Sequence, residues 1–555
     1  MTQNNIASSP LGAIDADERK IIFAASLGAV FEWYDFFLYG ALAAIIAAQY
    51  FSSLNHTAAF VFALLTFAAG FIVRPIGALI FGRLGDLVGR KHTFLLTILI
   101  MGVSTLLVGV LPGYQTLGVA APVILVLLRM LQGLALGGEY GAAATYVAEH
   151  APNDKRGGWT AWIQTTSTIG LLLSLVVIIA VRALCGKSFD VWGWRIPFLF
   201  SGVLLAISVY VRVSMRESPA FQKIKAEGRT SRAPLTEAFG QWRNLKLVLQ
   251  ALFGLLAGQA VVWFTALFYS MFFLTQTLKL DTGTTHLLVG IALVSSSPLY
   301  IFFGRLSDRI GRKPVILCGL FLAAATLFPI FHGLTHFANP ALARAQQTSP
   351  VVIVSDPADC SFQFNPTGTA TFDNACDVAR RVLATHAASY ATIPAPAGSK
   401  TLIRVGTTEI PAPSLHGLPP AQAKATEQAF RVATGKALSI AGYPAIADPE
   451  DVNQPMILML LIVLMAYGAM TLGPIAAILV EMFPTRIRYS AMSLPYHIGN
   501  GYFGGLLPTV CFALVAQRGD IYFGLWYPVV VAGVSGVIGM LFIKEPTRDQ
   551  MYGND

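Results

Sequence analysis

Apolar runs of about 20 residues recur twelve times along the chain, and a helix of that length crosses a bilayer. They are centred near residues 36, 70, 102, 135, 170, 202, 260, 295, 325, 467, 503 and 532. The pattern predicts an all-α membrane protein with twelve transmembrane helices. Several runs are broken by Gly, Pro or a charge, as expected where helices line a cavity instead of facing lipid. The polar intervals divide the chain into an N-terminal segment (1–20), a first block of six helices (21–213), a linker (214–245), helices 7–9 (246–335), a polar segment (336–454), helices 10–12 (455–543) and a last segment (544–555).

Composition agrees with lipid as the solvent: 55% of the 555 residues are hydrophobic and only 12% are charged, and the mean hydropathy is +0.62. The formal charge of +9 does not indicate nucleic acid, because Lys and Arg sit in short inter-helix segments and not on one basic face. Those segments follow helices 2, 4, 6, 8 and 10, whereas the segments after helices 1 and 3 hold no Lys or Arg. By the positive-inside rule both ends of the chain and the 214–245 linker are expected on the cytoplasmic side of a bacterial inner membrane. The first twenty residues show no signal-peptide pattern, so the first run is expected to stay as an uncleaved helix. The few residues after Ile543 are expected to hold no heptad-bearing tail. No phosphate-binding Gly-Lys loop and no His/Cys cluster with metal-ligand spacing occurs, so neither ATP hydrolysis, another enzymatic activity, a cofactor nor a metal is expected.

The segment 336–454 departs from the membrane pattern. It is rich in Pro and Thr, falls on the non-cytoplasmic side, and is too long for a structureless loop. It reads as a small extra domain or a partly ordered cap, serving as a lid or as a docking surface for an extracytoplasmic partner. A receptor role, with the helices as signalling scaffold, is the rival from another functional class. Cys360 and Cys376 pair as a disulfide if the compartment is oxidising, a closure that stabilises the segment by about 3 kcal/mol on the chain-entropy view.

One charged decapeptide occurs twice: GRLGDLVGRK at 82–91 and GRLSDRIGRK at 304–313, after helices 2 and 8. Six helices separate the copies, which points to duplication and two pseudo-symmetric six-helix bundles. Asp86 and Asp308 are each placed to cap a helix or accept from Arg90 or Arg312. The double motif resembles the loop signature of the major facilitator superfamily. FEWYDFFLYG (31–40), RMLQGLALGGEYGAAATYVAEHAP (129–152), RESPAF (216–221), EMFPTRIRYSAMS (481–493) and GNGYFGGLLP (499–508) further resemble its metabolite:H⁺ symporter family, which is close to the sugar porters. The likeness covers all twelve helices and leaves out the insert. It implies transport of dicarboxylates, tricarboxylates, shikimate-like acids or zwitterionic osmolytes.

Charges deep in the helices are costly unless paired or wetted. Counting 1.5 Å per residue along the helices puts Glu32, Arg74 and Glu139 at similar depth and leaves Asp35 with Arg129. The resemblance implies that Asp35 carries the proton and is released from Arg129 on protonation, with Glu139 and Glu32 as the other candidates. Arg74 either binds an anionic substrate or neutralises Glu32 or Glu139. The resemblance also implies that Glu149, Arg156, Glu217, Glu481, Arg486 and Arg488, with Asp86, Arg90, Asp308 and Arg312 of the motif, form the gating network that latches the halves. Gln164, Gln259, Trp263, Tyr269, Tyr467, Tyr496, His497 and Asn500 supply donors and aromatic walls for a small-molecule site. His497 reads either as a titrating ligand or as a packing residue. The expected function is proton-coupled uptake of a small organic acid, the alternative a zwitterion such as betaine or proline held against Trp263. The expected partners are the substrate, protons and the bilayer.

Overall fold

The computed structural model describes residues 26, 29–31, 33–35, 37–51, 56–213, 217–361 and 372–545. The first membrane helix (helix 1) occupies described residues within 29–50 and helix 2 is His56–Leu87. Helices 3 to 6 are Arg90–Val110, Ala120–His150, Arg156–Cys185 and Arg195–Val213. In the second half, helix 7 runs over Trp242–Thr277, helix 8 over Thr282–Ile310, helix 9 over Arg312–Ala338 and helix 10 over Gln454–Met482. Helices 11 and 12 are Arg488–Val515 and Phe523–Phe542. The described residues of each of the twelve apolar runs are helical, and helices 3 to 12 are each long and apolar enough to cross a membrane. The outward stripes are apolar: Ile72, Ile76 and Ile80, spaced at i, i+4 and i+8 on helix 2, are 61%, 52% and 44% exposed. Such a surface belongs in lipid, and the chain is an integral membrane protein.

Helices 2 and 4 touch backbone to backbone. A Cβ at Gly133 would fall on the Gly70 carbonyl, and one at Gly137 on the Arg74 carbonyl. Glycine therefore sets how closely Arg74 approaches the charges of helix 4. Helices 7 and 11 each widen into π-helical turns, at Thr265–Tyr269 and Gly499–Gly504. Such turns displace side chains from the regular helical stripe.

The all-α description holds for the membrane part, while the insert is a small α/β layer. Strands β1 (Val351–Ser355), β2 (Tyr390–Pro394), β3 (Leu402–Val405) and β4 (Thr408–Pro411) form one sheet in the order β2-β1-β3-β4. β1 and β2 are parallel, with the helix Ala375–Thr385 between them in sequence, while β1 and β3 as well as β3 and β4 are antiparallel. Val351 and Ile353 on one face of β1 are buried with Val378, Ala379, Val382 and Leu383 of that helix in one apolar core. Cys376, in the helix's first turn, is disulfide-bonded to Cys360 (Cα–Cα 5.1 Å). The insert sits on the second half. The Tyr390 N–H donates to the Gly519 carbonyl (2.8 Å), Asn339 Nδ2 to Leu278 (2.9 Å) and the Ala447 N–H to Lys279 (3.0 Å).

Candidate functional site

The repeated motif does the same work twice. Its last Gly has positive φ in both copies, 128° at Gly89 and 104° at Gly311, a conformation that side chains oppose. Asp86 accepts from the backbone N–H groups of Tyr489 (3.3 Å) and Ser490 (2.9 Å), the second and third residues of helix 11. Asp308 accepts from Gly157 (2.8 Å) and Gly158 (2.7 Å), the second and third residues of helix 5. Each acid thus caps a helix of the opposite half, satisfying exposed donors at the positive end of its dipole. Arg90 lies 3.3 Å from Asp86, and Arg312 lies 2.5 Å from Asp308.

Around these caps the ion pairs are exchanged between halves. Glu149 of helix 4 meets Arg488 of helix 11 at 2.7 Å, and Glu481 of helix 10 meets Arg156 of helix 5 at 2.9 Å. In sequence each Glu stands seven residues before the Arg of its own half. Glu481 also holds Arg312 at 3.2 Å. Glu217 accepts from the N–H groups of Arg90 (3.0 Å) and Lys91 (3.3 Å) at the start of helix 3. Glu545, absent from the sequence reading, does the same for Arg312 (2.5 Å) and Lys313 (2.9 Å) at the start of helix 9. Its signal was legible, since KEP at 544–546 follows helix 12 as RESP at 216–219 follows helix 6. Arg486 pairs with Glu237 of the linker at 2.5 Å. The ten residues expected at the gate fall into two clusters, Asp86, Arg90, Glu149, Arg488 and Glu217 in one and Asp308, Arg312, Glu481 and Arg156 in the other, with Arg486 paired separately to Glu237.

Toward the middle, a cavity opens between the halves. Of the nine residues expected to contact substrate, Arg74, Gln164, Gln259, Trp263, Tyr496, His497 and Asn500 line it. Two do not. Tyr269 is buried against Phe331 and Phe512 (ring centroids 5.6 and 5.5 Å), and the Tyr467 hydroxyl accepts from Thr326 at 3.1 Å between helices 9 and 10. A stretch of aromatic sequence cannot reveal which rings turn inward, because helix rotation decides it. The sequence reading missed Trp33, Tyr140 and Phe268. Tyr140 stacks on Tyr496 with centroids 3.5 Å apart, joining helices 4 and 11, and Trp33 lies 5.8 Å from Trp263, joining helices 1 and 7.

Away from the ionic end, two more buried ion pairs lie within the first half among the described residues. Asp35 and Arg129 meet at 3.4 Å, Arg129 donates to Gln132 at 2.6 Å, and its guanidinium lies 4.0 Å from the Tyr39 ring. The other carboxylate oxygen of Asp35, Oδ1, has no hydrogen-bond partner among the described residues. A small recess is lined by Asp35, Arg129 and Arg74 together, so Arg74 borders both this pair and the cavity. The second pair corrects the depth count. Glu139 borders the cavity, but its ion partner is Arg212 of helix 6, at 2.6 Å, with Thr97 donating at 3.0 Å. Arg212 was overlooked because it falls in the last turn of helix 6, where a basic residue reads as loop. Glu32 lies outside the described residues.

Three comparisons bear on this geometry. The sequence profile of a family described as sugar (and other) transporter matches residues 21–241 and 431–548. The chain is 34% identical over 328 residues to the proline/betaine transporter of Escherichia coli (strain K12), covering 57% of this chain and 65% of that one. It is 38% identical over 324 residues to the shikimate transporter of the same strain, covering 57% and 72%, and 33% identical over 346 residues to its alpha-ketoglutarate permease, covering 61% and 78%. The chain thus spans about two thirds of the length of these relatives or somewhat more, and just under that (65%) for the proline/betaine transporter. The solved structure of the major facilitator superfamily proton:xylose symporter XylE is similar in fold, with a TM-score of 0.61 at 15% identity, over 97% of this chain and 98% of that chain.

Proposed function

Because the chain belongs to the sugar (and other) transporter family and has the major facilitator fold, we propose that it is a proton-coupled symporter that takes up a small organic acid by alternating access. One observation carries the reading: the buried Asp35–Arg129 pair lies beside a cavity between the halves, with Arg74 bordering both. In this reading Arg74 meets the substrate carboxylate and Asp35 carries the proton. An adjacent arginine favours a charged carboxylate, and removal of water favours a neutral one. A gate that alternates the two conditions loads a proton on one side and unloads it on the other. Glu139, held by Arg212, is the second carrier in line.

The ionic end of the molecule is assigned to the cytoplasmic side of a bacterial inner membrane, with both chain ends, on the distribution of Lys and Arg. Its closed network then corresponds to a state shut toward the cytoplasm, and opening requires the exchanged pairs to separate. The relatives' names support the substrate class, since shikimate and alpha-ketoglutarate are organic acids. A second reading, a zwitterion such as betaine or proline, is supported by the Trp33–Trp263 pair, which offers aromatic faces to a cation, and by the proline/betaine relatives.

The test is uptake of radiolabelled 2-oxoglutarate, citrate and shikimate into proteoliposomes, with and without an inward proton gradient. The wild type accumulates at least one acid only with the gradient. In Asp35→Asn accumulation is lost while substrate exchange persists. Uptake indifferent to the gradient would refute the coupling, and gradient-driven uptake that survives in Asp35→Asn moves the proton to Glu139 or Glu32. Inhibition by betaine but by none of the acids selects the zwitterion reading.

A further inference from the structure

Helices 4 and 11 belong to opposite halves and run side by side from the ionic end to the cavity. Their contacts keep one antiparallel register. Glu149 meets Arg488 at 2.7 Å, and one turn further in the Thr145 hydroxyl donates to the Met492 sulfur at 3.3 Å. One more turn in, the backbones close up, because a Cβ at Gly141 would fall on the Ser493 hydroxyl. The Tyr489 hydroxyl donates to the Gly138 carbonyl across the same seam. The seam ends at the cavity wall, where Tyr140 stacks on Tyr496 with centroids 3.5 Å apart and planes within 5° of parallel. At 1.5 Å per residue, the two rings lie about 12–14 Å from the Glu149–Arg488 pair, so they meet at one height. Of the residues that helix 11 lends to the cavity, Tyr496 is the one nearest the ionic end.

The duplication shows what is particular about this pair. Each half places one residue nine positions before its Glu and another eight positions after its Arg: Tyr140 and Gln164 in the first half, Leu472 and Tyr496 in the second. All four line the cavity, and Gln164 donates to the Tyr140 hydroxyl at 3.3 Å. The two halves thus cross twice on this side, helix 4 with helix 11 and helix 10 with helix 5, and only the first crossing carries a ring on both partners. We propose that Tyr140 and Tyr496 form an inner gate, a ring stack that holds helices 4 and 11 together between the cavity and the ionic end. The gate is a barrier in addition to the ion pairs, and it parts before a solute in the cavity leaves toward that end. Both tyrosines are positioning residues for the closed arrangement. The inference rests on the alternating-access reading above: separating Glu149 from Arg488 moves the same two stiff helices apart and so unstacks the rings.

The test measures spin-label distances between the halves, at the ionic end and at the opposite end, for the full-length protein in nanodiscs. The variants are Tyr140→Leu, Tyr496→Leu, Tyr140→Phe and Glu149→Gln. Leu keeps apolar bulk, as Leu472 does at the related position, and removes the ring face; placing it on either helix gives two independent chances of a folded variant. In each Leu variant the population open at the ionic end rises roughly three- to tenfold, the worth of one aromatic stack. Distances at the ionic end then lengthen while those at the opposite end shorten, an exchange that a mere loss of packing does not produce. Tyr140→Phe keeps the stack, loses only the Gln164 bond, and stays within about twofold of wild type. The double Leu variant moves about as far as either single one, since each already removes the stack. If Glu149→Gln exchanges the distances and neither Leu variant does, the gate is overturned and alternating access stands. A shift in Tyr140→Phe equal to that in Tyr140→Leu assigns the effect to the hydrogen bond and overturns the stack. If no variant, Glu149→Gln included, changes either distance, the alternating-access reading falls, and this inference with it.

Discussion

The two six-helix halves share a plan and differ in their chemistry. The first half holds its charges deep: Asp35 with Arg129, Glu139 with Arg212, and Arg74 on the cavity wall. The second half faces the same cavity with Gln259, Trp263, Tyr496, His497 and Asn500, with no Asp, Glu, Lys or Arg among its described lining residues. Its acids and arginines, Asp308, Arg312, Glu481 and Arg488, gather at the ionic end. At that end the halves are near copies again, each Asp capping the other's helix and each Glu holding the other's Arg. Duplication therefore preserved the parts that must meet symmetrically and let the cavity walls diverge. Under the proposed function this is a division of labour: charge movement falls to one half, and recognition by polar and aromatic groups to the other.

The sharpest way to break the comparison is to leave one deep charge alone. Arg212→Met strands Glu139 in the first half and should cost about 3–5 kcal/mol of stability, whereas the double variant Arg212→Met/Glu139→Gln should recover most of it. Thermal unfolding in detergent measures both. A single variant as stable as wild type would mean that the pair is already wetted and that the first half is no more ionic inside than the second.

A smaller effect is expected at the symmetric end. Glu481→Gln removes the acceptor shared by Arg156 and Arg312 and should weaken the closed arrangement by about 1.5–3 kcal/mol, roughly a tenfold or greater shift in population. Spin-label distances between the halves across the ionic end should lengthen, and Glu149→Gln should shift them comparably if the exchanged pairs are equivalent. A shift in only one of the two variants would show that the symmetry of geometry is not one of energy.

The smallest effect concerns the insert, which packs against the second half. Glu427 is partly desolvated, but the hydrogen bonds and charges of Arg381 and Arg431 prevail and hold its carboxyl below the usual glutamate range. A depressed folded value means that its contribution is present above the ordinary glutamate range and is lost as pH falls through the folded value. The pairs are substantially exposed, so the loss is below about 1 kcal/mol. Amide protection factors in Pro420–Ile440, with exchange corrected for its intrinsic pH dependence, should fall as the buffer is taken from pH 6 to pH 3, and Glu427→Gln should remove that fall. An unchanged pH profile in Glu427→Gln would assign it to other groups.

Much of this was legible before any coordinates. Lipid admits a span only as a helix with its backbone satisfied internally, so runs of apolar residues near 36, 70 and the ten later centres determined the helices by themselves. The repeated decapeptide likewise announced the duplication, since its Gly, Asp and Arg act within one turn of chain. The partners of buried charges were harder. Depth along a helix is countable, but rotation about the helix axis is not, and the Gly-mediated contact of helices 2 and 4 together with the seat of helix 6 gave Glu139 to Arg212. The same rotation turned Tyr269 and Tyr467 away from the cavity and brought Trp33 and Tyr140 into it. The insert's strands are only four or five residues long, too short for a period of two to stand out. The sequence alone determined which segments span the membrane and which motifs recur, because those follow from local chemistry and solvent. Only the tertiary structure decided which charges pair and which rings face the cavity, because these depend on how separate helices turn toward one another.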